Sequence, residues 1–451
     1  MDAKKARNLV KDRCALLREC GFLPLLFSPI DERESLARKL GSYSIAGGFF
    51  PRNIHDPVKT SREFEAWLLE RNIDQSVSSI ADTAWIHPHD DWTETVLQIA
   101  DRFGFRTPDG YRNCRVKPKA RDLIASHKKV PQPGFRKVSL GSIQTCFSDE
   151  TSCKTFVAKP IVGAGSSWVS RLLNSDDAKQ YDESRSKWIS TNSYQVISNS
   201  FFDLDPNVDL LVEEYIPGSV FQVDGFVSDG TCFICDVGIK RHVTNPGIWS
   251  QGFSETGGIT CFANREDSFV KRLVDWTKLV VKAVDLNNSA FHIEGVRRDD
   301  KLHVIEVNPR VGGSEVARIA NFISGVDLHS EMTRLAVGVP NQRIPKPTSI
   351  FGIAYCLVQP EKGRGLGEIT HLVPRTTTQL EVFGKVRSCE WRPFHGVKLK
   401  TVVGKVPHEE YLAELHVFFE EEVPSGSWDE IASQVSQLEE INKFIQICYD
   451  R

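Results

Sequence analysis

The chain has 451 residues and a formal net charge of -3, with 40% hydrophobic and 25% charged residues. This length exceeds what a single hydrophobic core usually serves, so we expect two or three domains packed together. The composition is that of a globular protein in water, and so small a net charge argues against a nucleic-acid or membrane partner.

The 11 cysteines are scattered along the chain, without the spacing of a disulfide framework or a zinc site. Cys232 and Cys235 form a C-x-x-C, but they lie in a run that predicts a strand with the two sulfurs on opposite faces. No apolar run reaches the length of a membrane span, and the charged pattern of residues 1–20 is unlike a signal peptide. We therefore expect a reducing compartment and a cytoplasmic protein.

Residues 1–115 predict a small α/β domain. Helical spacing over residues 4–20 precedes a strand-like run at 22–27, and a strand at 77–86 precedes a helix at 92–103. Domains of this kind usually open on a strand, and here no strand precedes the first helix.

The middle of the chain predicts alternating strands and helices. A short helix at 119–127 is followed by a strand ending at Lys159 and Pro160, and by a strand-turn-strand unit at 209–230. The amphipathic pattern of 268–284 predicts a long helix, and a further helix is predicted between Gly313 and Gly338.

The last part of the chain, 341–451, predicts a β-rich C-terminal subdomain. Its strand-like runs are FGIAYCLVQ, GEITHLV, TTQLEVF and VKLKTVVG. A final helix is predicted near residues 428–446.

Residues 291–313 carry the most informative pattern in the chain, two alternating strands around a charged turn at 298–301. Alternation places His292 and Glu294 on one face of the first strand, and Glu306 and Asn308 on one face of the second. An odd-length loop centred on Asp300 sets Glu294 directly opposite Glu306, and His292 opposite Asn308.

Two carboxylates held that close repel each other unless a cation lies between them. Because the ligands offered are oxygens, the pattern indicates Mg²⁺ or Mn²⁺ rather than Zn²⁺. Arg310 continues the row beyond Asn308, and an acid, an amide and a guanidinium together suit a metal-bridged phosphate. The alternative is a solvent-facing hairpin with ordinary surface acids.

A glycine–serine loop, Gly163 to Ser167, follows the strand that ends at Lys159 and Pro160. Small residues let backbone N–H groups approach an anion that the lysine neutralises. The loop fits neither the P-loop pattern nor the dinucleotide fingerprint. An ordinary hairpin turn explains it equally well in isolation.

In chain order, Lys119, VAKP-x-x-GAGSS, LVEEYIPG, FHIEG and VIEVNPRVGG resemble the ATP-grasp superfamily, most closely carboxylate–amine ligases of the L-amino-acid ligase kind. The resemblance implies an α/β (α+β) ATP-grasp fold. It divides the chain into an N-terminal domain at 1–115, an ATP-grasp domain at 116–340 with a lid at about 150–215, and the C-terminal subdomain at 341–451.

The resemblance also implies roles for individual residues. The expected ATP contacts are Lys119, Lys159, Gly163, Gly165, Ser166, Ser167 and Glu213, with the backbone of Glu214 and Ile216. The expected metal ligands are Glu294, Glu306 and Asn308. Arg310 would steady the transferred phosphoryl group, and Gly312 and Gly313 would leave room for the acyl substrate. Val220 stands where many relatives carry an acid for the ribose hydroxyls, which leaves Asp224 as a substitute.

The activity so implied is ATP-dependent amide-bond formation through an acyl phosphate, with ATP and Mg²⁺ or Mn²⁺ as cofactors and a small carboxylate and a small amine, including an amino acid, as substrates. A homodimer is compatible with the sequence. Two other interpretations stay open: a nucleotide-binding regulatory module without turnover, and a biotin-dependent carboxylase component, although VGGSEV after Arg310 lacks the Gln-Val-Glu-His-like run of that group.

Overall fold

The computed structural model describes part of the chain. The described residues are 15–16, 25–27, 47–49, 57–70, 93–104, 107–147, 155–162, 168–191, 205, 208–245, 252–262, 268–313, 316–339, 344–348, 352–358, 369–374, 386–393, 413–419 and 445–449.

The N-terminal part contains two short parallel strands and two helices. They are β1 (Leu25–Phe27), β2 (Gly47–Phe49), α1 (Pro57–Glu70) and α2 (Thr93–Phe103). Phe64 of α1 packs edge-on against Phe103 of α2. Within the described residues, the strand predicted at 22–27 is confirmed at 25–27 and the helix predicted at 92–103 is confirmed at 93–103. Apart from helical residues 15 and 16, the predictions at 4–20 and 77–86 lie outside the described residues.

Helices α3 (Tyr111–Arg115) and α4 (Lys117–His127) lead into the central region. The next elements are β3 (Phe135–Ser139), β4 (Phe156–Pro160), β5 (Ser170–Leu172), α5 (Ser175–Thr191) and β6 (Asp209–Glu214). Their apolar side chains, among them Trp168, Tyr181 and Leu210, form a separate hydrophobic cluster. This cluster falls in the stretch for which the sequence predicts a lid.

A large antiparallel sheet organises the rest of the described chain. Its further strands are β7 (Ser219–Ser228), β8 (Thr231–Asn245), β9 (Gly252–Phe262), β10 (Ser289–Arg298) and β11 (Lys301–Asn308). Along the sheet the order is β11-β10-β7-β8-β9-β5-β4-β6-β3.

Helices cover both faces of strands β7 to β11. Helix α6 (Ser268–Ala283) buries its apolar stripe against one face, where Nε1 of Trp276 donates to the carbonyl of Leu302 at 3.0 Å. The opposite face lies under α7 (Val316–Ser324) and α8 (Leu328–Ala336). Cys232 contacts the first of these cores and Cys235 lies in the second, so their predicted opposite orientation is confirmed.

The single helix predicted between Gly313 and Gly338 is wrong, because two helices occupy that stretch. Gly325 adopts a φ of +69° just after α7, a conformation in which glycine commonly ends a helix. The side chain of Asp327 then caps α8 by accepting from the backbone N–H groups of His329 and Ser330.

The described C-terminal elements are strands. They are β12 (Gly352–Val358), β13 (Ile369–Pro374), β14 (Val386–Pro393), β15 (Ala413–Phe419) and β16 (Ile445–Tyr449). Strand β12 pairs with β9, and β15 and β14 extend the same sheet. Residues 445–446 of the predicted final helix are in a strand, where that prediction is wrong. Its remainder and the runs TTQLEVF and VKLKTVVG lie outside the described residues.

Within the described ranges, no helix combines the length and the apolarity needed to cross a membrane.

Candidate active site

The hairpin of β10 and β11 sets two carboxylates against each other at the edge of the sheet. Glu294 lies directly opposite Glu306, and His292 lies opposite Asn308. The predicted opposition of the acids is therefore confirmed.

The predicted odd-length loop is wrong, however. Arg298 pairs with Lys301, so the turn has two residues, Asp299 and Asp300. Asp299 has a φ of +54°, as hairpin turns of this length commonly require. The register shifts next to Glu294 by one residue, and this β-bulge compensates for the even turn.

Ile305 is the extra residue of the bulge, and its carbonyl points to two buried cations. Nη2 of Arg121 donates to it at 2.7 Å, and Nζ of Lys159 donates to it at 3.3 Å. Nη1 of Arg121 also donates to the carbonyl of Val304 at 2.8 Å. Because a bulge leaves its extra residue outside the strand ladder, these donors satisfy a carbonyl that would otherwise lack a partner.

Glu213 joins the same two cations in a buried ion-pair network. Its Oε1 accepts from Nε of Arg121, and its Oε2 pairs with Nζ of Lys159. Burial raises the pKa of Glu213, but Arg121 and Lys159 outweigh this effect and hold that pKa below its ordinary value. The predicted contact between Glu213 and adenine stays a prediction, and it would have to share oxygens that are already engaged.

Each of the opposed carboxylates pairs with a lysine. Nζ of Lys117 lies 3.0 Å from Oε1 of Glu306, and Nζ of Lys240 lies 2.5 Å from Oε1 of Glu294. Burial raises the pKa of Glu306, and the charge of Glu294 raises it further. The charges of Lys117 and Lys159 lower it by more, so the pKa of Glu306 lies below its ordinary value. The setting of Glu306 therefore favours the carboxylate.

The other predicted ATP contacts have different outcomes. Lys119 is exposed on α4, whereas Lys117 at the start of that helix reaches Glu306. The backbone N–H of Glu214 donates to the carbonyl of Gly134 at 2.8 Å, and Ile216 lies half-buried between β6 and β7. The four loop residues fall outside the described ranges. They are Gly163, Gly165, Ser166 and Ser167.

His292 connects the carboxylates to the interior of the sheet. Its Nδ1 lies 2.7 Å from Oδ1 of Asp224, and its Nε2 lies 3.1 Å from Oε1 of Glu294. Burial lowers the pKa of His292, yet Asp224 and Glu294 outweigh burial and the charge of Lys240, and the pKa rises to about 9. Asp224 is fully buried, which does not suit it as a substitute for the missing ribose acid.

The loop after β11 carries the remaining predicted residues. Arg310 is half-buried, and its Nη1 donates to the carbonyl of Val311 at 2.9 Å. A Cβ on Gly312 would lie 2.7 Å from Cγ1 of Val316 and 2.9 Å from Nδ1 of His292, whereas a Cβ on Gly313 would meet nothing within 4 Å. Only Gly312 is therefore required by close approach.

Sequence reasoning missed three cations of this site, namely Lys117, Arg121 and Lys240. Pro118 at the first turn of α4 is a sequence signal that places Lys117 at the helix start. The alternation of Asp236, Gly238 and Lys240 in the otherwise apolar run 232–240 is a second signal, since charges on a buried face need partners.

The donor set suits a hard divalent cation, because it offers two opposed carboxylates and the amide oxygen of Asn308. Across the described ranges, no group of three or more His, Cys, Asp or Glu side chains has the arrangement of a metal site. Any metal held here would therefore need ligands from outside the protein as well as the two acids and the amide.

Comparisons with known proteins bear on the same region. Residues 153–318 match the family model of the ATP-grasp domain. The chain is 26% identical over 246 residues to an uncharacterised protein of Sinorhizobium fredii. The aligned region covers 54% of this chain and 46% of that protein. Dapdiamide A synthase of Enterobacter agglomerans is 24% identical over 188 residues, which covers 41% of this chain and 38% of the synthase. The match spans less than half the length of either relative.

Among solved structures, the L-amino acid ligase from Bacillus licheniformis is similar to this chain with a TM-score of 0.63 and 15% identity, covering 95% of this chain and 99% of the ligase. At that identity the likeness is one of fold. The chain therefore has the ATP-grasp fold and contains an ATP-grasp domain at residues 153–318.

Proposed function

We propose that the protein is an ATP-dependent carboxylate–amine ligase that forms an amide bond through an acyl phosphate, with an amino acid as a substrate. A carboxylate oxygen attacks the γ-phosphorus of ATP and releases ADP. The amine nitrogen then attacks the acyl carbon, phosphate leaves with the bonding electrons, and the nitrogen loses a proton. The domain match and the likenesses to an L-amino acid ligase and a dapdiamide synthase support this class of reaction.

The observation that carries the proposal is the opposition of Glu294 and Glu306 beside several lysines. Phosphoryl transfer needs positioned charge more than a covalent nucleophile. Glu294, Glu306 and Asn308 would hold Mg²⁺ or Mn²⁺, which supplies charge stabilisation when bound.

The cations of the site take the remaining roles. Lys117 and Lys159 would contact the phosphates of ATP, with Lys117 in the place first expected for Lys119. Arg310 would face the transferring phosphoryl group, because this half-buried residue lies two positions beyond Asn308, the last residue of β11.

Incubation with ATP, Mg²⁺ and a panel of amino acids tests the proposal. We expect ADP and phosphate to appear together with a condensed product, and hydroxylamine to trap the acyl phosphate as a hydroxamate. Glu306→Gln should abolish turnover without changing the free energy of unfolding. The control is Glu183→Gln, at an exposed position on α5, which should have wild-type turnover. Release of AMP, or ATP binding without turnover for every amino acid, would contradict the ligase proposal, and the second result would favour a regulatory module.

A further inference from the structure

The face of the sheet that carries Glu294 also carries buried polar side chains that the proposed phosphate chemistry leaves unused. We call them the buried polar row: Gln222, Asp224, Asp236 and Thr260. The first two lie on β7 opposite Glu294 and His292. On β8, Asp236 lies opposite Asp224, and Gly238 lies between Gln222 of β7 and Thr260 of β9. Directly opposed residues point to one face of a sheet, so the four side chains share it.

This row is buried, and most of its oxygen atoms have no partner. Asp224, Asp236 and Thr260 are 0% exposed, and Gln222 is 1% exposed. In the described part of the chain, neither oxygen of Asp236 has a hydrogen-bond partner, nor do Oδ2 of Asp224, Oε1 of Gln222 or Oγ1 of Thr260. Buried polar atoms are almost always hydrogen-bonded, so this concentration on one face indicates that something else binds there.

The unpartnered atoms are mainly acceptors, which indicates a ligand that donates hydrogen bonds and carries positive charge. Two basic side chains on the same face of the sheet already have partners: His292 contacts Asp224, and Lys240 contacts Glu294. Burial, and then the charge of Asp224, raise the pKa of Asp236 well above its ordinary value. A bound cation would remove that penalty.

Gly238 has no side chain between Gln222 and Thr260, so these two side chains approach each other within the row. A Cβ there would lie 3.0 Å from Oγ1 of Thr260 and 3.3 Å from Cγ of Gln222. Gln222 is in turn opposite Glu294, whose side chain is 20% exposed. The row therefore runs from the partly exposed carboxylate to the fully buried Asp236.

We propose that the buried polar row binds the primary ammonium group of a basic amino acid that serves as a substrate of the ligase. The inference rests on the proposed function and adds the class of substrate. A primary ammonium is a compact charge with three donors, which suits acceptors on three neighbouring strands, whereas the planar fork of a guanidinium suits one bidentate carboxylate.

The separation of the two sites fits such a substrate. Two strand spacings, about 10 Å, lie between the backbones of β10 and β8. Strand β7 lies between them, and Glu294 and Asp236 stand on the same face of the sheet, so the distance between them suits a substrate whose ammonium is carried on a stem of about four carbons, as in lysine. The reacting carboxylate would then lie beside Glu306 and Arg310, with the ammonium at Asp236.

The test compares lysine with norleucine, which has the same stem without the amine. We expect kcat/KM for ADP release to be about 10- to 150-fold higher with lysine, the range for hydrogen bonds to a charged group. Asp236→Asn should lower the lysine-to-norleucine ratio at least about 10-fold, and Thr260→Val should lower it less. The matched control is Asp229→Asn, in the exposed turn between β7 and β8, which should leave the ratio unchanged.

Thermal stabilisation by each amino acid, measured without ATP, separates this inference from the ligase proposal. Stabilisation by lysine that Asp236→Asn removes would support the ammonium site even if no ADP were released. ADP release with norleucine as good as with lysine would overturn the site and leave the ligase proposal standing. Equal stabilisation by potassium chloride and lysine, lost in Asp236→Asn, would also overturn it, because the row would then hold an inorganic cation.

Discussion

The carbonyl oxygen of Ile305 accepts a hydrogen bond from Nη2 of Arg121 at 2.7 Å. Ile305 is the extra residue of the bulge in β11, and it immediately precedes Glu306. Since Nζ of Lys159 reaches the same oxygen, one backbone atom links the buried cations to the hairpin of opposed carboxylates. The placement of Lys159 and that of Glu306 are therefore coupled.

Arg121→Met should destabilise the fold by about 3 kcal/mol, because it removes a partner of the buried Glu213 and two donors to the bulge. Urea unfolding measures the loss. The matched control is Arg112→Met, since that arginine pairs with Asp101 on the surface, where ion pairs contribute about 0–1 kcal/mol. Equal losses in the two variants would mean that the buried network contributes no more than a surface pair.

The opposition of Glu294 and Glu306 was predictable because alternation is local and both acids flank one turn. The bulge was not, since an odd-length loop and a two-residue turn with a bulge give the same opposition. Lys240, Asp224 and Asp236 join the site through pairing of β7, β8 and β10. Such pairing depends on long-range register, which the pattern of a single strand does not contain.

Substitution of Lys117 or of Lys119 tests which lysine of α4 contributes to the binding of ATP. Lys117→Met should lower kcat/KM for ATP by about 10-fold or more, because a charge-assisted contact contributes about 1.5–3 kcal/mol. Lys119→Met should have little effect, because that side chain is exposed on the same helix. Steady-state kinetics with varied ATP give the comparison. A larger effect at Lys119 would restore the first expectation from the sequence.

The start of α4 explains why the sequence alone favoured Lys119 over Lys117 for this contact. Both lysines flank Pro118, and helix boundaries read from sequence are uncertain by a few residues. The ion pair between Lys117 and Glu306 joins residues 189 positions apart, so local pattern alone could not separate the two candidates.

Gly312→Ala should impair the site, whereas Gly313→Ala should be tolerated. The new Cβ at Gly312 would crowd Val316 and His292, at a cost of about 1–3 kcal/mol, and either His292 or the loop with Arg310 must move. Gly313 has open space around the same position, so its change should stay within about 0.5 kcal/mol. Urea unfolding and ADP release measure both effects. Indistinguishable variants would show that the loop does not approach His292 this closely in solution.

Asp236→Asn should be more stable than wild type in the absence of substrates, and its advantage should grow with pH. Burial, and then Asp224, raise the pKa of Asp236 above the ordinary value of 3.8 that the unfolded chain retains. The contribution of Asp236 to the free energy of unfolding is therefore fully present below that value and is lost as pH rises through the folded-state pKa. Asparagine is neutral throughout, so the variant has no such loss. The difference in free energy of unfolding should be small near pH 4 and approach about 1–3 kcal/mol above the folded-state pKa, the cost of an unsatisfied buried polar group. Urea unfolding from about pH 4 to about pH 8 measures it, with Asp229→Asn as a control whose difference should stay flat. A wild-type protein that lost no stability relative to Asp236→Asn over this interval would mean that Asp236 has a partner in solution.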